Sequence, residues 1–169
     1  APNTLDYIER VAGPCQEEVA NEAMEEALIE EVQRTLAEEP EQGVTFDEWI
    51  KARKDGSHLE VYPQLTVSID MGWQCRRRTM DSLSGHAFLI GARTGCPIAC
   101  MVYSKQCHFC DVIHQSTAPD DVPDHECPKN FEGSSKSMES MAAVALYTSV
   151  YKEKKVHAKT IISDDDSTM

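Results

Sequence analysis

The stretch Leu65-Thr66-Val67-Ser68-Ile69-Asp70 decides the reading of this chain. Apolar Leu65, Val67 and Ile69 alternate with polar Thr66, Ser68 and Asp70, which is the period of a strand with one buried face. Asp is a poor strand residue. Its place just before Met71-Gly72-Trp73 fits either a capping or turn role or a chemical one.

Downstream, His86 to Gly91 predicts a second strand, Arg93-Thr94-Gly95 a short turn, and Pro97 to Tyr103 a third strand. Together they predict an antiparallel hairpin or three-strand meander. Ser134-Ser135 caps a helix running to about Lys155, with Met138, Met141, Ala142, Ala145, Leu146 and Val150 as its buried stripe. Val156 to Ile162 reads as the last strand. A helical crossover between strands of one sheet is right-handed almost without exception. The last strand is therefore expected parallel beside the first, with the helix across one face, in an α/β fold.

Upstream, residues 16–39 predict a helix. Ala20, Met24, Leu28, Val32 and Leu36 recur every fourth residue, Glu fills most of the other face, and Pro40 follows. The stripe predicts packing on the domain, with a free acidic interaction helix as the alternative. Thr45-Phe46-Asp47-Glu48 fits a capping box opening a short helix with Phe46, Trp49 and Ile50, ending near Asp55-Gly56. The expected division is an acidic helical segment over 1–60 and a second part over 61–169.

The net charge of −13 is unevenly placed. Residues 1–60 hold 16 acids against 5 Lys and Arg, and residues 61–169 hold 13 against 11. Nucleic-acid binding by overall field is excluded, while a local patch in the nearly neutral second part is not. Arg76-Arg77-Arg78 is the one dense basic run, suited either to phosphate contacts or to a solvated loop. No stretch approaches the ~20 apolar residues of a membrane span, and the N-terminus shows no signal peptide. Seven cysteines without a secretory signal point to an intracellular, reduced setting and to thiols or metal rather than disulfides.

Residues 105–133 are rich in Cys, His, Asp, Pro and Gly and have no period, so they need a staple. Cys107-x2-Cys110 followed by His125-x-Cys127 supplies two close pairs that suit tetrahedral Zn2+, closed by four protein ligands and hence structural. His108 and His114 are rival fourth ligands. Cys96 and Cys100 read as side chains of the third strand, and Cys15 and Cys75 have no partner that spacing suggests. Asp164-Asp165-Asp166 closes the last strand. If that strand lies beside the first, Asp70 and Asp164 can meet. Two carboxylates so close repel unless a cation lies between them, and Mg2+ binds through such pairs together with substrate phosphates.

Several runs carry a resemblance. Ser68-Ile69-Asp70-Met71-Gly72-Trp73 followed by Ser82-Leu83-Ser84-Gly85-His86, then His125-Glu126-Cys127-Pro128-Lys129-Asn130 and its continuation to Glu139, then Ile162-Ser163-Asp164-Asp165-Asp166-Ser167, resemble the Mutator-like transposase domain of animal transposable elements. The resemblance covers residues 61–169 closely and the N-terminal helix loosely. It implies an RNase H-like mixed sheet (three antiparallel strands, a helix, a parallel fourth strand), truncated here, with a zinc-binding insertion at 105–133 and a helical N-terminal segment. It also implies metal-dependent cleavage and strand transfer of DNA, with Mg2+ or Mn2+ at the acids. Asp70 matches the first catalytic acid, Asp164 the second with Asp166 in reserve, and Cys107, Cys110, His125 and Cys127 an inserted Cys/His cluster. The third acid of the family belongs on a helix beyond Met169, so the chain alone is expected to be an inactive fragment. His86 is expected to be structural and Trp73 a core or rim aromatic. The implied partner is DNA at transposon ends, in the nucleus, with a homo-oligomer compatible. The alternatives are a domesticated, non-catalytic zinc-containing module that binds DNA or protein, and a cytoplasmic zinc-stabilised interaction protein.

Overall fold

A computed structural model describes residues 4–73, 82–107, 110, 125 and 127–162, with side chains from residue 16 onward. The elements in order are α1 (Thr4–Glu38), a 3-10 turn (Pro40–Gln42), α2 (Phe46–Asp55), β1 (Gln64–Trp73), β2 (Ser84–Gly91), β3 (Pro97–Ser104), α3 (Ser135–Glu153) and β4 (His157–Ile162). The architecture is mixed α/β.

The strands form one sheet in the order β3-β2-β1-β4. β1 and β2 are antiparallel, with Asp70 opposite Phe88, and β2 and β3 are antiparallel, with Phe88 opposite Cys100. β1 and β4 are parallel, running from Gln64 opposite His157 to Ser68 opposite Ile162. The parallel return expected from the crossover is therefore present.

One core joins the sheet to the three α-helices. Leu65 and Val67 of β1, Ala87 and Leu89 of β2, and Ile98 of β3 pack with Leu28, Val32 and Leu36 of α1, Trp49 of α2, and Ala142, Leu146 and Val150 of α3. The alternating side chains of β1 point one set at this core, as the period of two requires. The α2 capping box forms as expected: Thr45 Oγ1 accepts from the Glu48 N–H, and the Thr45 N–H donates to Glu48 Oε2 at 2.8 Å.

Four expectations are corrected. Helix α1 begins at Thr4, not near residue 16, and runs through Pro14. Its stripe packs only from its C-terminal half: Leu28, Val32 and Leu36 are buried, Met24 is half-buried and Ala20 is exposed. On α3, Met141 is exposed, since it shares the outer side with Val144 and Tyr151 while Met138, Ala142, Leu146 and Val150 face inward. Cys96 precedes β3 rather than lying on it, its Sγ 3.6 Å from the Thr94 carbonyl oxygen.

Candidate functional site

The four ligands expected from spacing converge. Cys107, Cys110, His125 and Cys127 place their ligand atoms within 4.8 Å of one another. His125 Nε2 lies 3.3 Å from Cys107 Sγ and 3.3 Å from Cys110 Sγ, and Cys110 Sγ lies 3.7 Å from Cys127 Sγ. Zinc–thiolate bonds of about 2.3 Å at tetrahedral angles require sulfur–sulfur edges of about 3.8 Å and sulfur–nitrogen edges of about 3.6 Å. The group thus has the donor set and nearly the dimensions to hold a metal ion such as zinc. The rival ligands His108 and His114 lie outside the described residues, as does Cys75, and the side chain of Cys15 is likewise outside them.

Electrostatics already divide the thiols. The Cys110 N–H, 3.5 Å from Cys107 Sγ, does most to draw the Cys107 thiol down to about 6 against opposing burial, with His125 adding to it. Burial, and then the neighbouring sulfurs of Cys107 and Cys127, push Cys110 up to about 11. A dication reverses the second effect, because it favours every thiolate it ligates.

The second leg of this site is held by a residue that spacing did not single out. Asn130 lies three residues after Cys127 and binds the edge strand β3 as a further strand would. Its Oδ1 accepts from the Ser104 N–H at 2.8 Å, and its Nδ2 donates to the Val102 carbonyl at 2.9 Å. The backbone N–H groups of Asn130 and Phe131 both donate to the Ser104 carbonyl. The first leg leaves that same strand end, so one stretch of β3 fixes both. An isolated Asn carries no sequence signal for such a role.

Asp70 sits near the C-terminal end of β1, exposed, and its carboxylate makes no hydrogen bond or ion pair among the described residues. It is therefore not a cap or turn residue within them. Asp164, Asp165 and Asp166 lie outside the described residues, as do Arg76, Arg77 and Arg78. His86 is exposed on β2 opposite Gly72 and Val102. Trp73 is half-buried, lying over Gly85, where a Cβ would come within 3.2 Å of its ring. Among the described residues, no helix is long and apolar enough to cross a membrane.

No curated protein and no solved structure matches the chain. A family model described as Mutator-like transposase matches residues 2–169, which takes in the sheet, both legs of the Cys/His group, Asp70 and the Asp164-Asp165-Asp166 run. The chain belongs to the Mutator-like transposase family.

Proposed function

We propose that this chain carries catalytic-core residues of a DNA transposase with an RNase H-like sheet, from an animal transposable element, and that Asp70 and Asp164 hold Mg2+ or Mn2+ for cleavage and strand transfer of DNA phosphodiesters. The observation that carries the reading is the parallel pairing of β1 with β4. Its last described pair is Ser68 with Ile162. Asp70 and Asp164 each follow two residues later in the sequence. Continuation of the pairing by two residues would set the acids side by side. An exposed, unpartnered carboxylate beside a second one is poised for a cation rather than for the fold. Such ions supply Lewis-acid activation of the attacking and leaving oxygens.

The other residues support that site. The Cys/His group has four protein ligands and leaves no open position, so its zinc is structural and stiffens residues 105–133. Arg76, Arg77 and Arg78 follow β1 and contact DNA phosphates. Residues 61–169 form the catalytic part, and residues 1–60 brace it through Leu28, Val32 and Trp49. The setting is the nucleus, at transposon ends.

Calorimetric Mn2+ titration of the zinc-loaded chain tests the reading. Asp70→Asn and Asp164→Asn are each expected to abolish Mn2+ binding while zinc content stays at one per chain. Unchanged Mn2+ binding in both variants overturns the site. Absence of Mn2+ binding in the unmodified chain favours a non-catalytic, zinc-containing binding module.

A further inference from the structure

A second surface lies at the far end of the same strands. An open cavity of about 330 Å3 is lined by His58, Glu60, Tyr62, Tyr151 and His157, among others. Tyr62 and Tyr151 stand 5.1 Å apart, centroid to centroid, and the His157 ring meets Tyr151 edge-on at 6.0 Å. The backbone fixes this wall, since the His157 N–H donates to the Pro63 carbonyl at 2.9 Å. Among the described residues, none of these five side chains makes a hydrogen bond or an ion pair. Tyr151 is 51% exposed although a tyrosine of its size buries readily. A half-exposed aromatic cluster and polar groups without a hydrogen-bond partner among the described residues, gathered around one space, are the makings of a ligand site.

We propose that this cavity binds an unpaired nucleobase of single-stranded DNA, stacked on Tyr151 beside Tyr62 and His157, with Glu60 accepting from an exocyclic amine. The proposal rests on the DNA chemistry proposed above and adds a distinct contact to it. A space of this size admits one base. Stacking on aromatic side chains is the general means of holding unpaired bases. An amine-bearing base suits a carboxylate acceptor, and thymine has no such amine. The Lys155 ammonium holds the Ser57 carbonyl, next in the chain to the lining residue His58, and so fixes that wall of the cavity. Gln64 at this end and Asp70 at the other are six residues apart along β1, about 20 Å or roughly six base steps. A strand opened at the pocket can therefore reach the acids without bending back.

Fluorescence anisotropy with a labelled short cytidine oligodeoxynucleotide, its thymidine counterpart and a duplex tests this on the full 169-residue, zinc-loaded chain. The cytidine strand is expected to bind more tightly than the thymidine strand, and Glu60→Gln to shrink that difference. Tyr151→Ala is expected to weaken the cytidine strand about ten-fold, Tyr151→Phe to retain it, and duplex affinity to stay unchanged in all three variants. Equal single-strand affinity in Tyr151→Ala and the unmodified chain overturns the proposal, as does a preference for thymidine. Mn2+ binding through Asp70 without any single-strand binding overturns the pocket and leaves the acid site standing. Single-strand binding lost in Tyr151→Ala, with no Mn2+ binding at Asp70, overturns the acid site and leaves the pocket.

Discussion

The carboxyl group of Glu31 fills the space beside Gly91 where any other residue would carry a side chain: a Cβ built on Gly91 lies 2.5 Å from Glu31 Cδ. Glu31 is fully buried, and it accepts from the Arg93 N–H at 3.1 Å, the Thr94 N–H at 2.8 Å and Thr94 Oγ1 at 2.8 Å. A helix carboxylate thus clamps the β2–β3 turn and docks α1 on the sheet. Gly91→Ala is expected to cost about 1–3 kcal/mol through overpacking. Glu31→Gln is expected to cost about 1–3 kcal/mol, because an amide NH2 turned toward three donors leaves some of them unpaired. The two losses should fall short of additive, since both act on one contact. Urea denaturation of the two single variants and the double variant checks all three outcomes.

The metal group makes a graded prediction. One zinc per chain is expected by metal analysis, and chelation should lower the melting temperature and expose residues 105–133 to proteolysis. Asn130→Ala removes the two side-chain bonds that tie the Cys127 leg to β3, leaving the two backbone bonds, and should weaken zinc by about ten-fold, as lost outer-shell support does. Cys110 keeps its proton to about 11 without metal, so zinc binding near neutrality must release that proton. Zinc affinity should therefore rise with pH and fall as acid returns protons to the sulfurs. A pH-indicator assay of proton release on zinc addition measures this.

How much of this was legible follows from the reach of each signal. The alternation at Leu65 to Ile69 and the four-residue spacing at Met138, Ala142, Leu146 and Val150 report burial within one element, and both were readable. So were the paired Cys and His spacings, because metal ligands come in local pairs. Ala20 was misplaced because periodicity says which side of a helix is apolar and not how far along it the packing runs, and Met141 because an apolar residue beside the buried stripe can still face outward. The Glu31 clamp reaches a turn 62 residues later, Asn130 acts on a strand 26 residues earlier, and Tyr62 meets Tyr151 across 89 residues. Such contacts depend on chain folding, and no local pattern encodes them.

Acid sensitivity is expected at Glu25, which ties α1 to α2 and α3. Its carboxylate pairs with Arg53 at 2.6 Å and with Lys154 at 2.8 Å. Partial burial opposes ionisation, but the hydrogen bonds from Arg53 and Lys154 outweigh it and hold Glu25 below its ordinary value. A carboxyl lowered in the folded state stabilises fully above its unfolded pKa, and that contribution is lost as the pH falls through the folded value. Glu25→Gln should therefore be less stable than the unmodified chain near neutrality. The gap should narrow as the pH drops below the ordinary glutamate range. Melting temperatures across an acid series measure that narrowing.

Lys155 makes a trade that three variants can separate. It follows α3 with φ of 54°, in the left-handed region, where a glycine would be free of strain. Its ammonium caps the end of α2, donating to the Ala52 carbonyl at 2.7 Å and the Ser57 carbonyl at 2.5 Å. Two charge-assisted bonds, each worth about 1.5–3 kcal/mol, outweigh a backbone cost of about 1–2 kcal/mol. Lys155→Gly should be less stable than the unmodified chain. Lys155→Met should be less stable again, since it loses both bonds and keeps the strained backbone. Chemical denaturation giving Lys155→Gly the highest stability would show that the cap contributes little.

Asp70 gives the sharpest separation between a residue kept for the fold and one kept for chemistry. A structural Asp in a strand earns its place through a hydrogen bond or an ion pair, and Asp70 makes neither among the described residues. Its neighbours Ser68 and Ile69 are already paired into the sheet with Ile90 and Leu89, so the strand does not need its carboxylate. Asp70→Asn keeps the shape and removes one charge from the C-terminal end of β1. In chelator-treated buffer resupplied with zinc alone, the variant should melt at the same temperature as the unmodified chain or slightly above it. In Mn2+ the order should reverse, because an ion that binds only the folded state raises stability in proportion to its occupancy. The unmodified chain should gain melting temperature with rising Mn2+ and the variant should not. A drop of more than about 1 kcal/mol for Asp70→Asn without Mn2+ would instead mark a structural role for the acid.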